Sequence, residues 1–221
     1  MNLLHSPLSL PWAVLGWILL VPLALHSLHR ARSGTTLHGA QQHLWLAGVV
    51  LLAWLWTLQV RAVEGAAFGL LGAAFYALIF GCDWARLGLL AAAALHTGMV
   101  DGNWANLGMT GLLLAVVPSA LAGALQRQIE QRLPKNVFIF MIGNGMFVTL
   151  AVTAATSTLL LAVDCLLKPS STGFEQIAYA LLLAWGEALT SGMLFSALVI
   201  FGPHLVLTYR QDLYLPPRRR L

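Results

Sequence analysis

Residues 8–28 read Leu8-Ser-Leu-Pro-Trp-Ala-Val-Leu-Gly-Trp-Ile-Leu-Leu-Val-Pro-Leu-Ala-Leu-His-Ser-Leu28, a run without Asp, Glu, Lys or Arg. About 20 apolar residues in a helix cross the hydrocarbon core of a bilayer, and this run supplies them. No basic residue precedes it, whereas Arg30 and Arg32 follow it. A cleaved signal peptide has its basic residues first, so the run reads as a first span that stays in the chain.

Six further apolar stretches follow: His43–Val60, Gly65–Phe80, Trp84–Met99, Trp104–Leu125, Val137–Val163 and Ile177–Leu207. Gly65–Phe80 and Trp84–Met99 are short, which suits a tilted, broken or partly re-entrant segment. The last two are long enough to tilt or to project beyond the bilayer. Composition agrees: the 221 residues are 59% hydrophobic and 9% charged, against about 25% charged in soluble domains. A soluble fold of this size has too little interior for that apolar surface, so lipid is the expected solvent. The sequence predicts an all-α, polytopic membrane bundle of about seven transmembrane helices. Residues 1–208 would form one transmembrane domain and residues 209–221 a basic cytoplasmic tail.

Charge sets the expected orientation. With seven spans, Arg30, Arg32, Arg86, Arg127, Arg132, Lys135, Arg210, Arg218, Arg219 and Arg220 lie on one side, and Arg61 and Lys168 on the other. Basic residues are retained in the cytoplasm, which predicts an outside N-terminus and a cytoplasmic C-terminus in a bacterial inner membrane. The net charge of +4 then reflects loop retention, with the lipid bilayer and no nucleic acid as partner. The tail Leu215-Pro-Pro-Arg-Arg-Arg-Leu221 reads as a topology anchor near anionic headgroups. Cys82 and Cys165 fall near opposite faces, so no disulfide between them is expected.

Two polar groups stand out. Glu187 lies mid-span in Leu181-Leu-Leu-Ala-Trp-Gly-Glu-Ala-Leu-Thr-Ser-Gly-Met193, where an acid costs about 2.5–3.5 kcal/mol on insertion scales. A hydrogen-bond partner, a water-filled cavity or neutralisation must offset that cost. Asn144 lies at depth in the sixth stretch, and Thr190 and Ser191 lie within a turn of Glu187. An interhelical clamp and a direct part in transport are both open for this group. The second group belongs to the outer face. The turn His96-Thr-Gly-Met-Val-Asp-Gly-Asn-Trp-Ala-Asn106 offers an imidazole, a carboxylate and amides, and His5 and Glu64 fall on the same side. His5, Glu64, His96, Asp101 and Asn106 are candidate ligands for a divalent transition metal carried as substrate. The pattern lacks a ligand spacing such as HxxxH, and a solvated loop role is the competing reading for each.

His26, His29, His38, His43 and His204 fall toward the cytoplasmic side, where helix-end roles suit them. Gly65 with Gly69, and Ala120 with Ala124, are small-xxx-small pairs that let helices approach. No HExxH, GxSxG or P-loop is present, so no enzyme is expected, and no Walker-type ATP hydrolysis.

In order along the chain, several stretches resemble the CbiM/NikM-type membrane components of energy-coupling factor (ECF) transporters for cobalt and nickel, in an uncharacterised bacterial branch. They are Leu10-Pro-Trp12 with His29-Arg30; Gly69-Leu-Leu-Gly-Ala-Ala-Phe-Tyr-Ala-Leu-Ile-Phe-Gly81; His96 with Leu107-Gly108 and Pro118; Leu133-Pro-Lys-Asn-Val-Phe-Ile-Phe-Met-Ile-Gly-Asn144; Glu187-Ala-Leu-Thr190; and Tyr209-Arg-Gln-Asp-Leu-Tyr-Leu215. The resemblance covers about residues 5–215. It implies a substrate-binding permease component, driven by an ECF transmembrane coupling subunit and cytoplasmic ATPases. It also implies metal binding by the N-terminal amine, a histidine at position two and a further histidine before the Gly-rich helix. Here position two is Asn2, the nearest histidine is His5, and Val63-Glu-Gly-Ala-Ala-Phe68 has no histidine, so the family's metal site is not intact. The alternative is a membrane scaffold or assembly protein that kept the fold. An intramembrane enzyme using Glu187 as acid or base is a third class, for which no catalytic partner is readable.

Overall fold

The structure, a computed structural model, describes residues 9–34, 36–58, 60–63, 66–68, 70–132, 134, 136–167 and 174–209. Its helices are α1 (Leu10–Ser33), α2 (Gly39–Leu55), α3 (Ala73–Met99), α4 (Leu107–Gly111), α5 (Val117–Arg132), α6 (Val137–Ile142), α7 (Thr149–Leu167) and α8 (Phe174–Phe201). Two π-helical segments, Leu112–Val116 and Gly143–Val148, join α4 to α5 and α6 to α7. A small antiparallel ribbon, β1 (Val60–Val63) and β2 (Ala66–Phe68), pairs Val60 with Phe68 and Arg61 with Ala67.

Five helical runs are long and apolar enough to cross a membrane: Leu10–Ser33, Ala73–Met99, Trp104–Arg132, Val137–Leu166 and Glu175–Phe201. α2, at 17 residues, is at the lower limit for a span. The chain is therefore a multi-pass, all-α membrane bundle. Lipid-facing side chains such as Ile18, Leu51, Leu182 and Phe201 are exposed, as a bilayer solvent allows.

Gly65–Phe80 is not a continuous helical span, which corrects the simplest form of the seven-helix reading. Its described part is β2, a short connection and the first eight residues of α3, which end at Gly81 with φ 75° and ψ 171°. Residues 73–80 form a half-helix about 12 Å long, and residues 82–99 continue in a new direction. Glycine suits the break because a left-handed φ strains any residue with a Cβ. The half-helix is the centre of the core: Ala73, Ala74, Tyr76, Ala77, Leu78, Ile79 and Phe80 are all buried. A helix apolar on every side belongs inside a bundle.

Tyr76 shows how tightly the half-helix is held. Its ring lies between Gly48 of α2 and Gly88 of α3, where an added Cβ would come within 2.5 Å and 2.4 Å of it. Its hydroxyl donates to the Trp45 carbonyl at 2.9 Å.

At Gly16 and Gly108 the backbones of α1 and α4 come close together. A Cβ on Gly16 would sit 2.6 Å from the Met109 nitrogen, and one on Gly108 2.6 Å from the Trp17 nitrogen. The expected small-residue pairs play no such part in the described residues. Ala120 is exposed, and Gly65 and Gly69 lie outside the described residues.

Arg86, counted above as a loop charge, is buried inside α3. It donates from Nη1 to Ser27 Oγ of α1 at 2.7 Å, from Nε to Ser119 Oγ of α5 at 3.3 Å and from Nη2 to Cys82 Sγ at 3.3 Å. Arg30 pairs with Asp83 at 3.5 Å beside it. One guanidinium thus ties three helices through neutral acceptors. A lysine cannot present donors in that fork. Arg86→Lys is expected to cost about 2 kcal/mol through lost buried hydrogen bonds, read as a lower thermal midpoint in detergent, whereas Arg127→Lys, at an exposed position, should leave the midpoint unchanged.

Candidate functional site

A helix that begins inside a membrane exposes unpaired N–H groups at its start, and one that ends there exposes unpaired carbonyls. Around the half-helix 73–80, α8 and the segment after it supply hydrogen-bond partners, Glu187 at the two residues that lead into it and residues 207 and 208 at its end. At the start, the Leu71 N–H donates to Glu187 Oε2 at 2.8 Å and the Gly72 N–H to Glu187 Oε1 at 2.9 Å. Thr153 Oγ1 of α7 adds a third bond to Oε1 at 3.2 Å. At the end, the Leu207 N–H donates to the Ile79 carbonyl at 2.8 Å, and Thr208 Oγ1 donates to the Leu78 carbonyl.

Glu187 is thus a buried carboxyl group at the capped start of the half-helix, with main-chain N–H groups directed at both of its oxygens. Both of its oxygens are engaged by the fold. Gly72, which caps the half-helix, has φ 61°, and a Cβ there would come 2.5 Å from Leu52 Cδ2. α8 reaches this position because its inward face carries small residues: Ala180, Ala184 and Ala188 are buried beside Glu187.

A chain of contacts leads from the carboxylate to the imidazole. Trp56 Nε1–H donates to the Leu71 carbonyl at 2.8 Å, and the Trp56 indole meets the His96 ring edge-on, with centroids 6.2 Å apart. His96 Nδ1 lies 3.3 Å from the Ala53 carbonyl. His96 and Trp56 are each 1% exposed. His96 is therefore a core side chain within α3, in contrast to the outer-turn position expected from the sequence.

The other candidates separate. Asn106 is buried at the end of a 3-10 turn, and Asp101 is exposed with a left-handed φ of 49°. His5 and Glu64 lie outside the described residues. Among the described residues, no group of three or more His, Cys, Asp or Glu side chains could hold a metal ion. Thr190 is exposed and donates to the Gly186 and Glu187 carbonyls of its own helix, at 3.0 Å and 3.1 Å, so it does not share the Glu187 carboxylate.

Asn144 is fully buried in the second π segment, and neither of its amide atoms has a partner among the described residues. Thr149 and Thr156, buried on the same helical run, also have unpartnered hydroxyls. Sequence reasoning missed Leu71, Gly72, Trp56 and Thr153. The one signal was the glycine pair flanking Leu70-Leu71 ahead of an apolar run, which marks a backbone able to turn sharply.

No curated protein matches the chain. The family model described as cobalt uptake substrate-specific transmembrane region, CbiM, matches residues 5–205. That range takes in every element from α1 to α8 as well as the clamped half-helix, and the chain belongs to the CbiM family of cobalt-uptake transmembrane components.

Proposed function

We propose that this chain is the substrate-specific membrane component of an ECF-type importer for a divalent transition-metal ion, placed in a bacterial inner membrane. The family match over residues 5–205 carries this reading. The chain would cross the bilayer seven times, with the ribbon and the half-helix together making the third crossing, its N-terminus outside and its basic tail in the cytoplasm. A membrane coupling subunit and cytoplasmic ATPases would supply the energy, since this sequence has no Walker-type site.

Capture would occur at the outer face, with ligands drawn from His5, Glu64 and Asp101, and with the buried His96 and Asn106 supporting them from the core. Borderline imidazole and carboxylate donors suit cobalt, nickel or zinc. The contacts from Glu187 through Leu71 and Trp56 to His96 support this reading, because they fix the segment that leads into the half-helix. They cast Glu187 as the clamp that positions the site.

A second reading has its own support. Asn2, the histidine-free stretch 63–68 and the lack of a ligand cluster among the described residues favour a scaffold that kept the fold and lost the cargo. Metal loading separates the two. The purified full chain is loaded in detergent with cobalt, nickel or zinc, freed of unbound metal, and assayed for metal per chain. An importer is expected to retain about one ion per chain, with affinity lowered at least about tenfold in His5→Ala or His96→Gln, the scale of losing one ligand or its support. Wild-type protein that retains none of the three metals would end the metal reading and leave the scaffold.

A further inference from the structure

A groove of about 290 Å³ opens on the lipid-facing surface between α5 and the run from the second π segment into α7. Leu125, Ile129, Phe147 and Ala151 make it apolar, and Gln128 and Arg132 stand along one side. The local sequence explains its shape. Gly143 of the π segment lies near Ile129, at a distance where an added Cβ would make ordinary contact, 3.5 Å. Farther along, Ala151 is small, and Phe147 stands out as a wall, 55% exposed. Gln128 and Arg132 are four residues apart and share one face of α5. From Arg132 back to Leu125 the groove follows about two helical turns, roughly 10 Å.

We propose that this groove holds one anionic phospholipid, with an acyl chain along Leu125, Ile129 and Ala151 and the phosphate on Arg132. The floor belongs to two of the runs long and apolar enough to cross a membrane, so in a bilayer an acyl chain covers it. What distinguishes the groove from any lipid-facing surface is the guanidinium at the last turn of α5. Arg132 is exposed and makes no ion pair among the described residues. The neighbouring acid Glu130 instead accepts from Gln126 Nε2 at 3.3 Å. A guanidinium presents a planar fork that matches a phosphate, and basic pockets between membrane helices bind anionic headgroups. Gln128 adds a neutral donor one turn deeper, within reach of a glycerol ester.

Native mass spectrometry of the delipidated full chain tests this, titrated with phosphatidylglycerol or phosphatidylcholine of identical acyl chains. One phosphatidylglycerol is expected to bind about fivefold more tightly than phosphatidylcholine, the factor that about 1 kcal/mol per basic residue gives. Arg132→Gln should bring the two lipids level, while Arg127→Gln should keep the preference. Ala151→Trp should abolish the first bound lipid of either kind, and Ala151→Leu should weaken it; Ala151 is exposed, so the fold tolerates both changes. Equal binding of the two lipids by the wild type would overturn the proposal. So would a preference that survives Arg132→Gln, or one unaffected by both Ala151 variants, which would indicate a surface charge without a groove.

Discussion

Glu187→Ala is expected to lower the thermal midpoint of the purified protein by on the order of 10 °C, the shift that about 3 kcal/mol gives a chain of this size. The change strips the carboxylate from the Leu71 and Gly72 N–H groups and from Thr153. Each buried donor left unpaired costs about 1–3 kcal/mol, and no water is at hand in the bilayer core to replace the partner. Glu187→Gln should fall between Ala and wild type. Its amide oxygen keeps one N–H bond, but its NH2 group confronts the other N–H. Scanning fluorimetry of the three proteins in the same detergent gives the order. Gly186→Ala, which would meet nothing within 4 Å, is the control on the adjacent position. A Glu187→Gln protein with an unchanged midpoint and abolished metal uptake would overturn the clamp and give the carboxylate a direct part in transport.

Gly108→Val is expected to be the most damaging change on the α1 side. A Cβ at Gly108 would lie 2.6 Å from the Trp17 nitrogen and 2.8 Å from the Gly16 carbonyl carbon. These are backbone atoms, so no side-chain rotation relieves the clash, and α1 must move away by an ångström or more. Membrane helices associate through close packing of this kind, with no hydrophobic driving force to restore the lost contact. The expected cost is about 3 kcal/mol or more, within the range for overpacking a closely packed site. Size-exclusion chromatography of freshly solubilised protein should show loss of the monodisperse peak. Gly98→Ala, whose added Cβ would meet Trp104 at an ordinary 3.6 Å, should keep it. A normal peak and midpoint for Gly108→Val would mean that α1 is not held against α4 at this point.

These two sites differ in how far the sequence announces them. Glu187 is conspicuous as a letter, because an acid among apolar residues has a cost that must be met. Its partners are not conspicuous. Two are main-chain N–H groups, which every non-proline residue carries, and they lie 116 and 115 residues away. Thr190, the obvious neighbour by spacing, bonds its own helix instead. Gly108 is one of 20 glycines, and its approach to Gly16 exists only once α1 and α4 are packed. His96 reads as a turn residue because Gly98, Asp101 and Gly102 follow it, yet α3 continues to Met99 and encloses it against Trp56.

By itself the sequence determined that lipid is the solvent and that helices are the building units. The apolar runs are long, nearly free of charge, and too numerous for any soluble core, and backbone polar groups in a bilayer must be satisfied within the segment. The same rule shows why Gly65–Phe80 could not be resolved from hydropathy. Hydropathy measures how apolar a stretch is, and the half-helix is as apolar as any span. Whether such a stretch runs on as a helix or breaks depends on who satisfies its ends. Here the Glu187 side chain in α8 takes the N–H groups of the cap residue Gly72 and of Leu71 before it, and residues 207 and 208 take the Ile79 and Leu78 carbonyls near the end. Only the tertiary structure brings those partners together, because hydrogen bonds to the main chain leave no mark on residue type.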